Sequence, residues 1–209
     1  MVELVLVVAV AETGVIGDGE AIPWTYPEDH AQYTERVRGH PVVVGRRTFD
    51  QMGRLEGTHA VVLTNSPPSV TPDRVTYVTS VAEAAAAVAD RDDRGYVIGG
   101  QGVYSTVLPY ADRALVSEIP EVSTGSHGFP YLGQHWEQVG TTAYDTFTLV
   151  EYTNRSPIPT DADACECRPA PPPPSSPSGE SSADKRLAEV REAALRLLAR
   201  REHSVVELK

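Results

Sequence analysis

The stretch Tyr96-Val-Ile-Gly-Gly-Gln-Gly-Val-Tyr104 joins an apolar strand pattern to a short helix pattern through consecutive glycines. A second stretch, Val42-Val-Val-Gly-Arg-Arg-Thr-Phe49, repeats this arrangement with one glycine between the strand and the helix. Strands that lead directly into helices are typical of a mostly parallel sheet with helices on both faces. The two junctions therefore predict an α/β fold.

Apolar strands alternate with helix-length segments as far as residue 155. We predict strands at 2–11, 41–45, 60–64, 75–78, 96–98 and 113–119, and helices at 28–37, 47–52, 81–89 and 103–108. Segments 137–143 and 146–153, joined by a tight turn at Tyr144-Asp145, predict a hairpin at the sheet edge. The predicted fold class is one α/β domain whose mostly parallel sheet has about eight strands and ends in an antiparallel hairpin.

The composition changes after residue 155 and divides the chain into three parts. Residues 1–155 form the predicted α/β domain, and residues 156–182, rich in Pro, Ser and Gly, predict a disordered linker. Residues 183–209 carry apolar side chains at the spacing of one amphipathic helix face. Five arginines in this helix would contact the acidic domain or a partner, and a dispensable extension is the alternative. Cys165 and Cys167 are too few for a zinc site, and we expect no metal.

The charge balance argues against a nucleic-acid partner. The net charge is −11, and residues 1–155 contain 10 Arg and no Lys against 20 Asp and Glu. The cations that neutralise phosphates are therefore scarce. A lysine-free, acidic composition is what we expect from a salt-loving organism, although ordinary solubilising charge would also explain it.

The N-terminal sequence predicts a strand rather than a targeting segment. Glu3 stands where a signal peptide would have basic residues, and no apolar run reaches the ~20 residues of a membrane helix. We therefore expect a cytoplasmic protein without a membrane partner. We also expect a monomer whose C-terminal tail makes any further protein contact.

The Gly45-Arg46-Arg47-Thr48 junction has the features of an anion site. Free backbone N–H groups and the positive end of a helix favour anions, and arginine forks bind phosphate in a bidentate manner. The glycines at 99, 100 and 102 would let a phosphate or a flat ring approach the backbone. Two such junctions favour an extended dinucleotide lying across the strand ends. The alternative is that Arg46 and Arg47 are solvated surface charges.

The stretch Ile22-Pro-Trp-Thr-Tyr-Pro-Glu-Asp-His30 places carboxylates beside a tryptophan. Residues 25–28 match a capping box, which assigns Glu28 to the start of a helix. Asp29 would share a helix face with Tyr33 and look toward Trp24. A carboxylate there can accept paired hydrogen bonds from a flat, nitrogen-rich ring and take part in proton transfer. The alternative is that Asp29 only complements the helix dipole.

The ordered set of motifs resembles dihydrofolate reductase over residues 2 to about 154. The matching segments are Val15-Ile-Gly17, Ile22-Pro-Trp24, Asp29, Gly45-Arg-Arg-Thr48, Val97-Ile-Gly-Gly-Gln-Gly-Val-Tyr104 and Phe129-Pro130. The resemblance implies hydride transfer from NADPH to dihydrofolate, which yields tetrahydrofolate. The protein would supply alignment and a dry, oriented electric field.

The resemblance also implies roles for individual residues. Asp29 would bind the 2-amino and ring N–H edge of the pterin and favour protonation at N5 through a water that Trp24 helps to hold, while Ile22 would shield the nicotinamide. Substrate-binding residues would be Val8, Asp29, Tyr33, Met52, Leu55, Arg54 and, behind Asp29, Ser117. Cofactor-binding residues would be Ala9, Ile16, Gly17, Gly45, Arg46, Arg47, Thr48, Thr64, Asn65, Ile98, Gly99, Gly100, Gln101, Gly102, Val103 and Tyr104.

Two departures from the family pattern are visible. The arginine that usually binds the substrate's glutamate tail is missing from Gly57-Thr-His-Ala60, so we expect tail binding to be weaker or supplied by Arg54. An acidic residue that often steadies the closed loop is replaced within Gly125-Ser-His-Gly128, so loop closure should be balanced differently.

Two other functions remain open from the sequence. One is a reductase of the same fold that reduces a pyrimidine intermediate of riboflavin synthesis. The other is a folate-binding protein without turnover that uses its C-terminal helix as a docking element.

Overall fold

The computed structural model describes residues 2–19 and 21–160 of the chain. Of the predicted linker, residues 156–160 are described, and they contain neither helix nor strand. The rest of the linker, the predicted C-terminal helix and Cys165 and Cys167 lie outside the described residues.

A large sheet, with helices against it, organises the described part of the chain. In chain order the elements are β1 (Glu3–Ala11), β2 (Val15–Gly17), α1 (Pro27–Val37), β3 (Pro41–Gly45), α2 (Arg46–Met52), β4 (His59–Leu63), β5 (Val75–Val78), α3 (Val81–Ala89), β6 (Arg94–Gly99), α4 (Gln101–Val107), β7 (Arg113–Ile119), β8 (His127–Gly128), β9 (Trp136–Ala143) and β10 (Thr148–Asn154). The large sheet has eight strands in the order β5-β4-β3-β6-β1-β7-β10-β9. The strands from β5 to β7 are parallel, and β10 and β9 run antiparallel at the edge. The predicted fold class is confirmed.

Short-range details of the predicted elements differ from the structure in two places. The connection between β9 and β10 is a four-residue loop rather than a two-residue turn, closed by Tyr144 N–H donating to Phe147 O at 2.9 Å. The Tyr144 and Phe147 rings stack at 4.4 Å, and Phe147 is buried. A small sheet of β2 and β8 was also not predicted, because strands of three and two residues carry no readable periodicity.

The capping box predicted at residues 25–28 is wrong. Tyr26 is the N-cap of α1, and no side chain caps that helix end. The Glu28 carboxylate instead accepts hydrogen bonds from N–H and Oγ1 of Thr146, at 3.2 and 2.9 Å. A tertiary contact to the β9–β10 loop has therefore replaced the local one.

Apolar side chains cover both faces of the large sheet. One cluster contains residues of α3 and α4 together with Leu4, Leu6 and Val8 of β1. The other contains Val37 of α1 and partly buried residues of α1 and α2, together with Val5 and Val7 of β1. Because successive side chains of a strand point to opposite faces, β1 contributes to both clusters and is apolar almost throughout.

Asp112 fastens the end of the sheet at which β1 begins. Its Oδ2 accepts the Leu4 N–H at 2.9 Å, and its own N–H donates to Leu4 O at 2.9 Å. Burial raises the pKa of the Asp112 carboxyl, and the Leu4 hydrogen bond opposes that rise.

The described part of the chain contains no helix with the length and apolarity needed to cross a bilayer.

Asp112→Asn should separate these two effects. The variant keeps an acceptor for Leu4 N–H but cannot ionise. Because the folded pKa lies above the unfolded value of 3.8, the stability of the native chain relative to Asp112→Asn should fall as pH rises from about 4 to 7. Urea unfolding across this range measures the difference, with the exposed Asp145→Asn as the control.

Asp112→Ala should behave differently, because it leaves the buried Leu4 N–H without its acceptor. We expect Asp112→Ala to be less stable than Asp112→Asn by about 1–3 kcal/mol at every pH, since neither side chain titrates. Equal stability of the Ala and Asn variants would contradict the proposed fastening.

Candidate active site

The two glycine junctions lie side by side at the carboxyl ends of two neighbouring strands in the interior of the large sheet. Strands β3 and β6 are paired in parallel, with Val44 opposite Gly99, so their carboxyl ends lie side by side. A Cβ on Gly45 would lie 2.9 Å from Cγ2 of Val103, and a Cβ on Gly100 would lie 2.9 Å from Oγ1 of Thr48. A larger residue at either position would require the Val103 or Thr48 side chain to shift. Both junctions are therefore tightly packed, with one helix close to the end of the other's strand.

A cavity of about 410 Å³ lies over these strand ends. Ten predicted cofactor residues line it, namely Gly45, Arg46, Arg47, Thr48, Thr64, Asn65, Gly100, Gln101, Gly102 and Val103. The six others, Ala9, Ile16, Gly17, Ile98, Gly99 and Tyr104, are not part of this lining. Leu63, Thr79, Ser80, Thr106 and His127 line it without having been predicted.

The two arginines of the cavity are held in place by neighbours. Arg46 donates from Nε to both oxygens of Asp50, at 2.9 and 2.8 Å, and its guanidinium lies 5.4 Å from the centre of the Tyr77 ring. The hydrogen bond to Asp50 raises the pKa of Arg46. Arg47 donates from Nη2 to Gly19 O at 2.9 Å. Because Arg46 uses only Nε in this pair, its terminal nitrogens remain available to a phosphate.

Asp29 lies in the first turn of α1 and is half-buried. Its Oδ1 accepts a hydrogen bond from Nε2 of Gln32 at 3.0 Å, and the same nitrogen lies 3.4 Å from Oγ of Ser117. Ser117 is 2% exposed and stands beside Ala9 in the pairing of β7 with β1. The structure thus brings Asp29 and Ser117 together through Gln32.

The apolar wall beside Asp29 comes from several segments. Trp24, Tyr33 and Leu55 pack against the cluster on the α1 face, which also contains Val7. Burial raises the pKa of Tyr33 to about 12, so its hydroxyl stays protonated at neutral pH. Val8 belongs to the cluster on the opposite face.

Three of the residues predicted to be catalytic or to bind substrate are exposed. Ile22 and Met52 are 59% and 41% exposed, the first in the loop before α1 and the second at the end of α2. Arg54 is exposed and donates from Nη1 to Asp73 O at 2.9 Å. The structure places none of the three inside the apolar wall.

Tyr104 connects α4 to β1 near these strand ends. Its hydroxyl donates to Val7 O at 2.7 Å, and burial raises its pKa. Its ring meets Phe129 edge-on, with the ring centres 5.3 Å apart. Tyr104 is therefore a fixed internal support, and Phe129-Pro130 contributes to it.

The loop after β2 is fastened from two sides. Ser126 Oγ donates to Asp18 O at 2.8 Å and lies 2.9 Å from Nδ1 of His127. Gln51 donates to Gly19 O at 3.0 Å, alongside Arg47. A hydroxyl thus contacts the loop within the segment where the family often has an acidic residue.

Val7, Gln32 and His127 are among the residues of this region that the sequence did not predict. The alternation of β1 could have identified Val7 as the side chain that shares a face with Tyr33. The i, i+3 spacing from Asp29 could have identified Gln32. His127 gave no usable signal, because its position depends on the unpredicted pairing of β2 with β8.

No group of three His, Cys, Asp or Glu side chains that could hold a metal ion occurs within residues 2–19 and 21–160.

Comparison with known proteins gives one consistent result. The family model described as dihydrofolate reductase matches residues 3–154. Dihydrofolate reductase 1 of Haloarcula marismortui is 41% identical over 176 residues, which cover 76% of this chain and 95% of that protein. Dihydrofolate reductase HdrB of Haloferax volcanii is 35% identical over 176 residues, covering 79% and 90%. Both relatives come from halophilic archaea, in agreement with the expectation from composition.

A solved structure is similar over the same region. It is a dihydrofolate reductase from Enterococcus faecalis, complexed with NADP(H) and RAB-propyl. The similarity has a TM-score of 0.67 at 28% identity and covers 74% of this chain and 97% of that one.

Proposed function

Because the chain belongs to the dihydrofolate reductase family, we propose that its described residues carry out the NADPH-dependent reduction of 7,8-dihydrofolate to 5,6,7,8-tetrahydrofolate. The observation that carries the proposal is the joint presence of a half-buried Asp29 and a glycine-lined cavity with two oriented arginines. The reaction would supply one-carbon metabolism and thymidylate synthesis.

The residues present fit a phosphorylated nicotinamide cofactor. Gly45 and Gly100 line the cavity, and α2 and α4 both begin there. Arg46 offers its terminal nitrogens, which suit the adenosine 2′-phosphate, and Thr64 and Asn65 line the same cavity. NADPH, when bound, supplies the hydride that C6 of the substrate receives.

Asp29 supplies the ionisable group of the proposed substrate cleft. Its carboxylate accepts hydrogen bonds from the 2-amino and ring N–H edge of the pterin, which orients the ring. Its negative charge favours protonation at N5 through water. Trp24 helps to hold that water, and Ile22 covers the nicotinamide when the loop closes.

Tyr33, Leu55 and Met52 are proposed to contact the substrate beyond its pterin ring. Val8 would contribute from β1, where its backbone adjoins Val7 and Ala9. The usual tail-binding arginine has no counterpart here. Thr58, in the stretch that lacks this arginine, is buried, and its hydroxyl donates to Leu55 O at 2.9 Å. Arg54 retains free N–H groups beside its Asp73 contact, so tail binding by Arg54 stays a prediction.

Asp29→Asn tests the proton-transfer role. We expect NADPH binding to be preserved and turnover at neutral pH to fall by about 10²-fold or more, the scale for losing such a group. NADPH oxidation with dihydrofolate measures turnover. Glu35→Gln, an exposed change on the same helix, is the matched control. Turnover within a few-fold of the native value would remove Asp29 from this role.

Arg46→Ala tests cofactor recognition. Removing the guanidinium should raise KM for NADPH at least tenfold more than KM for NADH, since only NADPH carries the 2′-phosphate. Arg38→Ala, which removes an exposed arginine from the end of α1, should leave both constants unchanged. Equal losses for the two cofactors would argue against 2′-phosphate recognition.

The family assignment does not favour the two alternatives raised by the sequence. A riboflavin-pathway reductase should turn over its pyrimidine in place of dihydrofolate. A non-catalytic folate-binding protein should show no NADPH oxidation with dihydrofolate. One assay with both substrates therefore distinguishes all three functions.

We further propose that the α/β domain is sufficient for activity. Ile158 N–H donates to Pro109 O at 2.9 Å, so a shortened chain should retain residues through 160 rather than end at 156. A chain of residues 1–160 should keep kcat/KM within about threefold of the full chain. A larger loss without a lower Tm would assign a functional part to the C-terminal segment. Cytoplasmic location and monomeric state stay predictions.

A further inference from the structure

Three polar side chains of α1 form a hydrogen-bonded series that ends at Asp29. Arg36 Nε donates to Gln32 Oε1 at 3.4 Å, and Gln32 Nε2 donates to Asp29 Oδ1 at 3.0 Å. Positions 29, 32 and 36 follow the i, i+3, i+7 spacing of one helix face. The same Gln32 nitrogen reaches Ser117 on β7 at 3.4 Å, which links the series to the sheet.

The charges at the two ends fix the orientation of the Gln32 amide. A guanidinium can only donate, so it faces the amide oxygen, and an ionised carboxylate can only accept, so it faces the amide nitrogen. Turning the amide over would set donor against donor at Arg36 and acceptor against acceptor at Asp29. Gln32 therefore presents N–H to Asp29 as its stable arrangement.

We propose that Gln32 is a positioning residue for the reaction: its amide N–H holds Oδ1 of Asp29, so that Oδ2 and the remaining lone pair of Oδ1 face the substrate. The inference rests on the proposed function. A hydrogen bond donated to a carboxylate also favours its ionised form. Gln32 thus sets the rotation of the Asp29 carboxylate.

The other titratable groups on the two elements do not take the place of Gln32. On α1, Glu28 binds Thr146, His30 is exposed, and Tyr33 stays protonated. On β7, Glu118 follows Ser117 and is exposed. Arg36 acts on Asp29 through Gln32, because its Nε bonds to the amide oxygen.

Gln32→Met tests the inference, because methionine has a similar length and shape but cannot donate. KM for dihydrofolate should rise about tenfold, and the pH–rate profile should move toward higher pH by about one unit, the scale for a hydrogen bond to a charged group. Kd for NADPH should stay unchanged. The matched control is Gln138→Met, an exposed change on β9.

Gln32→Glu keeps the acceptor for Arg36 and replaces the donor with a second carboxylate. Repulsion between the two carboxylates should move the profile further toward higher pH than Gln32→Met does. This variant also keeps the test decisive if the methionine chain does not fold.

Assaying the full-length native chain alongside the variants distinguishes failure of the proposed function from failure of the positioning role of Gln32. Absence of native turnover would reject the proposed function itself. Native turnover with a lowered Tm but an unchanged KM and pH profile in both Gln32 variants would overturn the positioning role and leave the function standing. A parallel loss of NADPH affinity would overturn it as well.

Discussion

The close approach of backbone between the ends of β3 and β6 is the constraint on which the site depends. Cγ2 of Val103 and Oγ1 of Thr48 lie 2.9 Å from where a Cβ of Gly45 or Gly100 would be, so a larger residue at either position would displace a side chain of α4 or α2. With both helices in place, their N-terminal N–H groups and Arg46 face one cavity. The cavity is thus a consequence of how tightly two strand-to-helix turns fit together.

The paired charges of the domain affect how this site can work. Within residues 2–19 and 21–160, at least five arginines lie within 4.0 Å of a carboxylate, and Arg46 is one of them. Few cations are therefore left to bind an anionic ligand. Binding then depends more on how each of these arginines is oriented than on how many there are. Asp50 and Tyr77 provide that orientation for Arg46. Because exposed ion pairs are screened by salt, the Tyr77 ring should hold the guanidinium more reliably in a salty solvent.

Strand and helix patterns could be predicted from the sequence because they depend on neighbours along the chain. The alternating apolar segments predicted the sheet and its hairpin edge, and the glycine junctions predicted eight of the cavity residues. Thr64 and Asn65 were implied by the family resemblance. Contacts across the fold could not be predicted in this way. Glu28 binds Thr146 from a distant loop, and Gln32 becomes relevant only because α1 lies against Ser117. The pairing of β2 with β8 involves too few residues to leave a pattern.

The fastening of the loop after β2 has a consequence for the solvent in which the protein works. The Ser126 hydroxyl and the Gln51 amide both donate to backbone carbonyls, and neither group carries a charge. A carboxylate latch would weaken as ions accumulate around it or as acid neutralises it. The third donor to this loop, Arg47, is charged, but its partner is also a neutral carbonyl. None of the three hydrogen bonds is an ion pair between side chains, so salt should weaken them less than it would weaken a carboxylate pairing.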